Sequence, residues 1–180
     1  MKYDNVTTYI SLLRGINVGG NKKIPMTDLR ELYKALKLSN IQIYINSGNV
    51  IFDSDDSAQN IKSKLEQAIL KKFGFDVTVM IRTKAELEEV VRKNPFKKET
   101  DGIYVVFLKK ESKEKAEKDI NAVKNIAEKF VISRKEVYML IPAYGKTKLS
   151  NQLFEKKLKV AATTRNWNTV RKLLEMCKRI

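Results

Sequence analysis

The chain has 180 residues, of which 43% are hydrophobic, so it is long and apolar enough to build a core and is not disordered. It contains no histidine and one cysteine, Cys177, which excludes histidine-based catalysis, an intramolecular disulfide and a multi-cysteine zinc site. The net charge of +15 is concentrated in residues 142–180, where 10 Lys and Arg face 2 Asp and Glu, and it favours either an anionic partner or simple solubility.

Hydrophobic periodicity in the first half predicts the element order β-α-β-β-α-β. Strands are predicted at 9–13, 41–45, 50–52 and 77–81, and helices begin after Pro25 and span 61–69. This order is typical of the split βαβ, or ferredoxin-like, unit with a mainly antiparallel sheet. Thr83 and Glu86 then form a capping box that opens a short helix, which Pro95 ends.

The second half is predicted to repeat this order. Strands are predicted at 103–108, 130–132, 137–141 and near 160–163, with a long helix from Ser112 to Ala127, another at 149–157 and a last one from Trp167. The predicted fold class is therefore α+β, with two ferredoxin-like lobes at 1–82 and 83–180 and an extra C-terminal helix. The polar N-terminus predicts neither a signal peptide nor a membrane span, which favours a cytoplasmic protein.

The connection from the first strand to the first helix concentrates glycine, asparagine and cationic residues. Its candidate ligand-binding residues are Arg14, Asn17, Gly19, Gly20, Lys22 and Lys23. The loop fails the Walker A pattern, because its lysine comes one place late and no Ser or Thr follows, and its glycine spacing fails the dinucleotide fingerprint. Exposed backbone N–H groups, cations and a following helix N-terminus nevertheless predict an anion-binding loop. The alternative is that the glycines serve only a contorted backbone.

The segment Asn46–Asn49 predicts a tight hairpin turn in which Gly48 supplies the positive φ. Candidate ligand contacts are Asn46, Ser47 and Asn49, since two carboxamides at a hairpin tip can hydrogen-bond a base, a sugar or a peptide. Turn chemistry alone is the alternative, because asparagine side chains stabilise turns by themselves.

A third group of polar residues lies in the basic C-terminal region. Its candidate ligand contacts are Lys146, Ser150, Asn151, Thr164, Arg165 and Asn166. An arginine beside hydroxyl groups at the start of a helix suits a phosphate group. The alternative is structural: Asn166 caps the last helix, Trp167 anchors that helix in the core, and Arg165 is a surface charge.

Catalytic and metal-binding patterns are weak. A Ser–Lys pair would have to use Ser150 with Lys146 or Lys148, and so polar a stretch gives no burial that would lower a lysine pKa. The acidic cluster at 53–56 could hold a hard cation, but its position before a helix is more typical of a cap. No cofactor and no metal are predicted, and a binding protein is favoured over an enzyme.

Three segments resemble the motifs of one bacterial family: LLRGINVGG at 12–20, NSGN at 46–49 and TTRNW at 163–167. The family is the domain of unknown function 1697, and the resemblance covers essentially the whole chain. It implies two lobes that are each similar to a ferredoxin-like unit. It brings no established activity, so function has to be argued from the residues.

These observations predict a cytoplasmic protein that binds a phosphate-bearing ligand, either RNA or a nucleotide, and does not bind a membrane; they do not fix its oligomeric state, although a monomer is favoured. We expect Arg14, the turn Asn46–Asn49 and the segment Thr164–Asn166 to converge on one basic groove between the lobes, because binding sites favour domain interfaces. The alternatives are an enzyme of unknown reaction in the same groove and a structural module without a small ligand.

Overall fold

The structure, a computed structural model, describes residues 6–178 and contains two four-stranded sheets. These residues form two compact units. The first unit consists of the described residues up to Glu88 together with those from Lys172 onward, and the second unit is Glu89–Arg171. The predicted lobe bounds of 1–82 and 83–180 stay a prediction. The two units differ from them chiefly because the end of the terminal helix belongs to the first unit.

The first unit is built on one antiparallel sheet. Its elements are β1 (Thr7–Leu13), α1 (Met26–Ala35), β2 (Ser39–Tyr44), β3 (Asn49–Ser54), α2 (Ala58–Phe73) and β4 (Val79–Thr83), and α3 (Lys84–Arg92) follows. The strand order is β2-β3-β1-β4, and all neighbouring strands are antiparallel. The first and last strands of the βαββαβ order are thus paired side by side, as the ferredoxin-like unit requires.

The second unit repeats this arrangement. Its elements are β5 (Ile103–Leu108), α4 (Glu117–Asn121), β6 (Lys129–Ser133), β7 (Glu136–Leu140), a 3-10 turn (Tyr144–Lys146), α5 (Asn151–Leu158) and β8 (Ala162–Asn166), and α6 (Trp167–Cys177) follows. The strand order is β6-β7-β5-β8, again antiparallel throughout. The predicted fold class, α+β with two ferredoxin-like lobes and an extra C-terminal helix, is confirmed. None of the described helices is both long and apolar enough to span a membrane.

Alternating side chains of the first sheet pack against α1 and α2 and form the core of the first unit. Phe52 is fully buried, and its ring packs edge-on against Tyr33 of α1, with the centroids 5.5 Å apart. The hydroxyl groups of Ser11 and Tyr33 share a hydrogen bond of 2.7 Å, so two buried polar groups are satisfied. Ile10 and Ile51, on the opposite face of the sheet, are also fully buried. Burial on both faces explains why β1 is a continuous apolar run rather than an alternating one.

The long helix predicted at 112–127 is wrong, because α4 has only five residues. Ile120 of α4 is fully buried, whereas Ile126 beyond its end is 99% exposed. The Ser112 hydroxyl does not cap a helix and donates instead to the Leu158 carbonyl at 2.7 Å. Burial of Ile120 stabilises a single helical turn. The residues after it bury too little apolar surface to stabilise further turns.

The last strand of the second unit extends beyond its predicted position near 160–163 and ends at Asn166. Two of its polar residues, Thr163 and Arg165, are buried, and they pair with Phe107 and Val105 of β5. Periodicity reasoning assigns buried strand positions to apolar residues, so it could not extend this strand through a polar segment.

The predicted helix caps at the ends of the two last strands are confirmed. The Thr83 hydroxyl accepts the Glu86 N–H at 3.1 Å, and the Glu86 carboxylate accepts the Thr83 N–H at 2.9 Å. In the second unit the Asn166 side-chain oxygen accepts the Thr169 N–H at 2.7 Å. Each unit therefore starts a helix directly from its last strand, with one side chain ending the strand and capping the helix.

Candidate functional site

Residues 14–25, which we call the glycine loop, join β1 to α1 in an unusual backbone conformation. Five of these residues have positive φ, namely Gly15, Asn17, Gly19, Gly20 and Lys22. The loop folds back on itself as a small hairpin: the Asn21 N–H donates to the Val18 carbonyl at 3.1 Å, and the Asn17 N–H donates to the Lys22 carbonyl at 3.2 Å. The glycines therefore meet a conformational need at the hairpin tip, as the conformational alternative predicted.

The Asn17 side chain holds the glycine loop against its surroundings. Its oxygen accepts the Ile24 N–H at 2.8 Å, and its amide group donates to the Ile24 carbonyl at 3.0 Å and the Asn46 carbonyl at 2.9 Å. Asparagine also tolerates the left-handed conformation seen here better than most residues. Both amide hydrogens of this predicted ligand residue are therefore used in building the loop.

The turn after β2 is held in the same way. The buried Asn49 donates to the Tyr44 carbonyl at 3.0 Å and to the Ser47 hydroxyl at 2.9 Å. Gly48 has φ +74°, as predicted, and its carbonyl accepts the Leu13 N–H at 2.9 Å. Asn49 thus stabilises the turn, whereas Asn46 at the turn is exposed and contacts the glycine loop through its backbone.

A cavity of about 380 Å³ opens where the glycine loop, the turn and α1 meet; we call it the loop groove. It is lined by Asn17, Gly20, Lys23, Ile24, Pro25, Met26 and Asn46. A second cavity of about 340 Å³ shares Met26 and Asn46 with it and continues along α1; we call it the apolar extension. It is also lined by Thr27, Arg30, Ile43 and Ile45. Four of the predicted ligand residues, Asn17, Gly20, Lys23 and Asn46, are therefore brought together within the first unit.

The three cationic side chains of the glycine loop have different environments. Lys22 donates its ammonium to the Asp76 carbonyl at 2.5 Å, so it clamps the loop to the segment before β4. Arg14 is half-buried, and its backbone N–H donates to the Thr78 carbonyl at 2.9 Å. Lys23 is exposed and is the lysine that lines the loop groove.

Several of the C-terminal candidates serve the fold of the second unit, two of them as helix caps. The Ser150 hydroxyl accepts the Leu153 N–H at 3.3 Å and caps α5. The Thr164 hydroxyl donates to the Asn151 side-chain oxygen at 2.6 Å, which ties β8 to the first residue of α5. Lys146 lies in the 3-10 turn and is exposed. The structural alternative for Asn166 as a cap is confirmed, and ligand contacts from this group stay a prediction.

The sequence predicts that Arg165 is either a surface charge or a phosphate contact. The prediction of a surface charge is wrong, because the residue is buried. Arg165 is only 7% exposed, and its guanidinium donates to the Thr163 hydroxyl at 2.8 Å and the Thr164 carbonyl at 2.9 Å. Burial lowers its pKa to about 10, because a desolvated charge is disfavoured. Whether Arg14 and Arg165 serve one shared groove stays a prediction, since each is described within its own unit.

Sequence reasoning missed Arg82, the counterpart of Arg165 in the first unit. Each arginine is the second-last residue of the last strand, and each donates to the carbonyl of the residue before it, Arg82 at 3.0 Å and Arg165 at 2.9 Å. Arg82 is 2% exposed and pairs with Ile10, as Arg165 pairs with Val105. In both units an arginine is followed by the residue that ends the strand and caps the next helix, Thr83 or Asn166. An alignment of the two halves on these caps would have identified Arg82.

The acidic cluster at 53–56 serves the fold of the first unit. The Asp53 carboxylate accepts the Thr8 hydroxyl and the Asn40 amide, both at 2.7 Å. Asp56 accepts the Lys64 ammonium at 2.7 Å, and this bond, with further ones from Asn60 and the backbone, lowers its pKa to about 2. Among the described residues no group of three or more possible ligands could hold a metal ion.

Comparison with known proteins agrees with this architecture. A search of curated proteins finds no match. The solved structure of the conserved bacterial protein SP0830 from Streptococcus pneumoniae has a TM-score of 0.68 and 27% sequence identity, and the match covers 95% of this chain and 98% of that one. The family model described as "Protein of unknown function (DUF1697)" matches residues 6–138, well over half of the chain. This match shows that the chain belongs to the DUF1697 family.

Proposed function

We propose that the first unit binds a phosphate-bearing ligand, a nucleotide or a segment of RNA, in the loop groove. The observation that carries the proposal is the position of this cavity, since it is bounded by the tip of the glycine loop, by Lys23 and by the start of α1. The proposal treats the protein as a cytoplasmic monomer, a setting in which nucleotides and RNA are both present.

The start of α1 supplies unused backbone donors. Its N-cap residue is Pro25, which has no side-chain acceptor, and no side chain caps the helix. The first intrahelical bond runs from the Leu29 N–H to the Pro25 carbonyl at 3.0 Å. The N–H groups of the first turn before Leu29 are therefore open to a ligand, and such groups together with the helix dipole favour a phosphate.

Charge decides which side of the groove a phosphate would take. Asp28 lies in the first turn of α1, and its carboxylate offsets part of the positive potential there. Lys23 adds a positive charge to the lining of the cavity, to which Gly20 contributes backbone. An anion is therefore expected between Lys23 and the helix start, and its affinity should depend strongly on this lysine.

The apolar extension explains why a nucleotide fits better than free phosphate. Ile43 and Ile45 line it, and Ile45 remains 49% exposed. A ligand with a charged group and a flat ring can place the phosphate beside Lys23 and the ring against these isoleucines, where burial of apolar surface adds to the affinity. Arg30 lines the same cavity, and its guanidinium donates to the Ile41 carbonyl at 2.7 Å, which fixes its position.

Binding is favoured over catalysis by the chemistry of the lining. The residues that line the loop groove and its apolar extension include no carboxylate and no cysteine, and the chain has no histidine. General acid–base catalysis needs a titratable group within hydrogen-bond reach of the reacting atom. The lining supplies a lysine, an arginine and backbone donors, a set that suits anion binding.

The test is calorimetric titration of the full chain with ATP and, separately, with a dodecameric oligouridylate at low salt. Lys23→Gln should weaken binding by about 1.5–3 kcal/mol, the range for hydrogen bonds to charged groups. Lys71→Gln is the matched control, because it makes the same change of charge at an exposed residue of α2 outside both cavities.

A third variant tests the helix start. Met26→Pro deletes one first-turn N–H at a position where proline is tolerated, and the extended conformation of Pro25 is compatible with a following proline. Because Met26 also lines both cavities, Met26→Pro is compared with Met26→Ala, which removes the side chain and keeps the N–H. Met26→Pro should weaken ATP binding more than Met26→Ala, while circular dichroism shows the helix content unchanged. The absence of binding by both probes, or equal effects of Lys23→Gln and Lys71→Gln, would exclude the proposed site.

A further inference from the structure

The second unit carries a stacked pair of tyrosine rings at the edge of its core, against which Tyr104 packs. Tyr104 of β5 and Tyr144 of the 3-10 turn stack with centroids 4.7 Å apart and an interplanar angle of 27°. Tyr104 is half-buried, whereas Tyr144 is 40% exposed. We call the pair the tyrosine platform; it presents an aromatic ring, supported from one side, to solvent.

Polar groups lie next to the tyrosine platform. A cavity of about 150 Å³ is lined by Tyr104, Asn166, Trp167 and Asn168, among other residues. Asn166 is the cross-strand partner of Tyr104, and its side-chain oxygen is already used to cap α6. Its amide nitrogen has no partner within the described chain, and Asn168 is exposed. Two carboxamides are thus placed within reach of a group that enters the cavity.

The segment that carries Tyr144 is basic, although the exposed Asp101 also lines the cavity beside the tyrosine platform. Lys146 and Lys148 follow Tyr144 by two and four residues, and both are exposed. The segment 142–180 carries 10 Lys and Arg against 2 Asp and Glu, which is the most basic part of the chain. An aromatic ring with flanking lysines is the combination that binds single-stranded nucleic acid, because the ring stacks on a base and the lysines neutralise the backbone.

We propose that the tyrosine platform binds single-stranded nucleic acid, with a base stacked on Tyr144 and the neighbouring phosphates beside Lys146 and Lys148. Asn168 and the amide of Asn166 reach the edge or sugar of that nucleotide. The strand is single because the bases of a duplex are stacked on each other and their faces are closed to a side chain. The site lies wholly in the second unit and does not depend on the loop groove.

Stacking is tolerant of sequence, since every base has an aromatic face. We therefore expect similar affinities for oligouridylate and oligothymidylate, and weak binding of a duplex of equal length. Each phosphate neutralised by a lysine should contribute about −0.7 to the slope of log K against log salt. Lys146→Gln and Lys148→Gln should each make that slope shallower by about this amount.

The central experiment is fluorescence anisotropy of a labelled dodecameric oligouridylate with the full chain and its variants. Tyr144→Ala should weaken binding about 5-fold to 150-fold, the range for loss of one stacked base. Tyr144→Phe keeps the ring and should bind like the wild type, so it shows that a loss in Tyr144→Ala comes from stacking. Tyr44→Ala is the matched control, because it removes a half-exposed tyrosine from β2 in the first unit.

Trp167 provides a second readout. It is the chain's one tryptophan and lines the cavity beside the tyrosine platform, so its emission should change when the strand binds. Unchanged affinity in Tyr144→Ala, equal loss in Tyr144→Phe, or equal affinity for a duplex would overturn the proposal. Oligouridylate binding that survives Lys23→Gln but not Tyr144→Ala supports the tyrosine platform even if ATP fails to bind the loop groove.

Discussion

The two units build the same strand order with different connections. Residues 14–25 join β1 to α1 in the first unit, whereas the shorter segment 109–116 joins β5 to α4 in the second. Residues 45–48 join β2 to β3, whereas Arg134 and Lys135 alone join β6 to β7. We call Asn46–Asn49 the asparagine turn. Because the second unit makes the fold without a glycine loop or an asparagine turn, the fold itself does not require them in the first.

The connections also differ in how they are held. The Asn17 side chain makes three hydrogen bonds, two to Ile24 within the glycine loop and one to the Asn46 carbonyl outside it. In the second unit Ser112 makes two such bonds, to the Leu158 carbonyl at 2.7 Å and from the Glu114 N–H at 3.1 Å. The Asn17 side chain thus holds the glycine loop through more hydrogen bonds than Ser112 makes in the second unit.

The largest expected effect comes from Gly48→Ala in the asparagine turn. A Cβ atom there would lie 2.7 Å from Ile16 Cδ1 and 2.8 Å from Leu13 Cβ, at φ +74°. Left-handed strain and overpacking together should lower the free energy of unfolding by roughly 2–4 kcal/mol, measured by urea denaturation. Gly19→Ala is the control, since it has φ +59° but no atom within 4 Å of its Cβ. An equal loss in both variants would show that close packing around Gly48 does not contribute to the free energy of unfolding.

The next effect separates the two strand-to-helix loops. Asn17→Ala leaves the Ile24 N–H without its partner inside a buried residue, so it should lower the free energy of unfolding by about 1–3 kcal/mol. Ser112→Ala removes a partly buried hydroxyl in the second unit and should cost about 0.5–1.5 kcal/mol. The comparison fails if chemical denaturation gives the larger loss for Ser112→Ala.

A pH effect is expected from the second unit. The buried Glu128 carboxylate accepts the Asn125 N–H at 2.8 Å and the Asn125 amide at 3.1 Å. Burial alone would raise its pKa, but these bonds and one from Thr147 outweigh it and hold the pKa below the ordinary value. The folded state therefore binds this proton less tightly than the unfolded state, and the stabilisation present at neutral pH is lost as pH falls through the lowered pKa.

Glu128→Gln should thus show a shallower fall of Tm on acidification than the wild type. Asp56→Asn is the control in the first unit, where hydrogen bonds, led by that from Lys64, lower the pKa of Asp56 to about 2. Any contribution from that carboxylate persists to more acidic pH and is weakened by solvent screening. A Tm profile unchanged in Glu128→Gln would contradict the assignment of the acid sensitivity to the second unit.

The smallest expected effect is at the short connection between β6 and β7. Arg134 has φ +54°, which glycine adopts more easily, and its side chain makes an exposed ion pair with Glu111 at 3.6 Å. Relief of strain and loss of an exposed pair nearly offset each other, so Arg134→Gly should change the free energy of unfolding by less than about 1 kcal/mol. If Arg134→Gly lowered the free energy of unfolding as much as Gly48→Ala does, this connection would be as sensitive to substitution as the asparagine turn.

Local patterns allowed much of the fold to be predicted. Strand β5 was predicted at its observed residues, and the Thr83–Glu86 capping box has the expected reciprocal bonds. Both depend on residues that are close in sequence, where spacing alone determines which side chains can meet. The short α4 was not predictable in this way, because its length depends on contacts of Ile120 with a core assembled from distant segments.

The amino-acid sequence by itself determined the order of elements, the left-handed turn at Gly48 and the basic character of residues 142–180, since each follows from residue type or local spacing. Only the tertiary structure decided that Asn17 meets Asn46, that Tyr144 stacks on Tyr104, and that Arg165 lies inside the second unit rather than on its surface. The reason is that a polar or aromatic side chain has the same chemistry in solvent, in a cap or against another ring. Its partner, which is distant in sequence, determines which of these roles it takes.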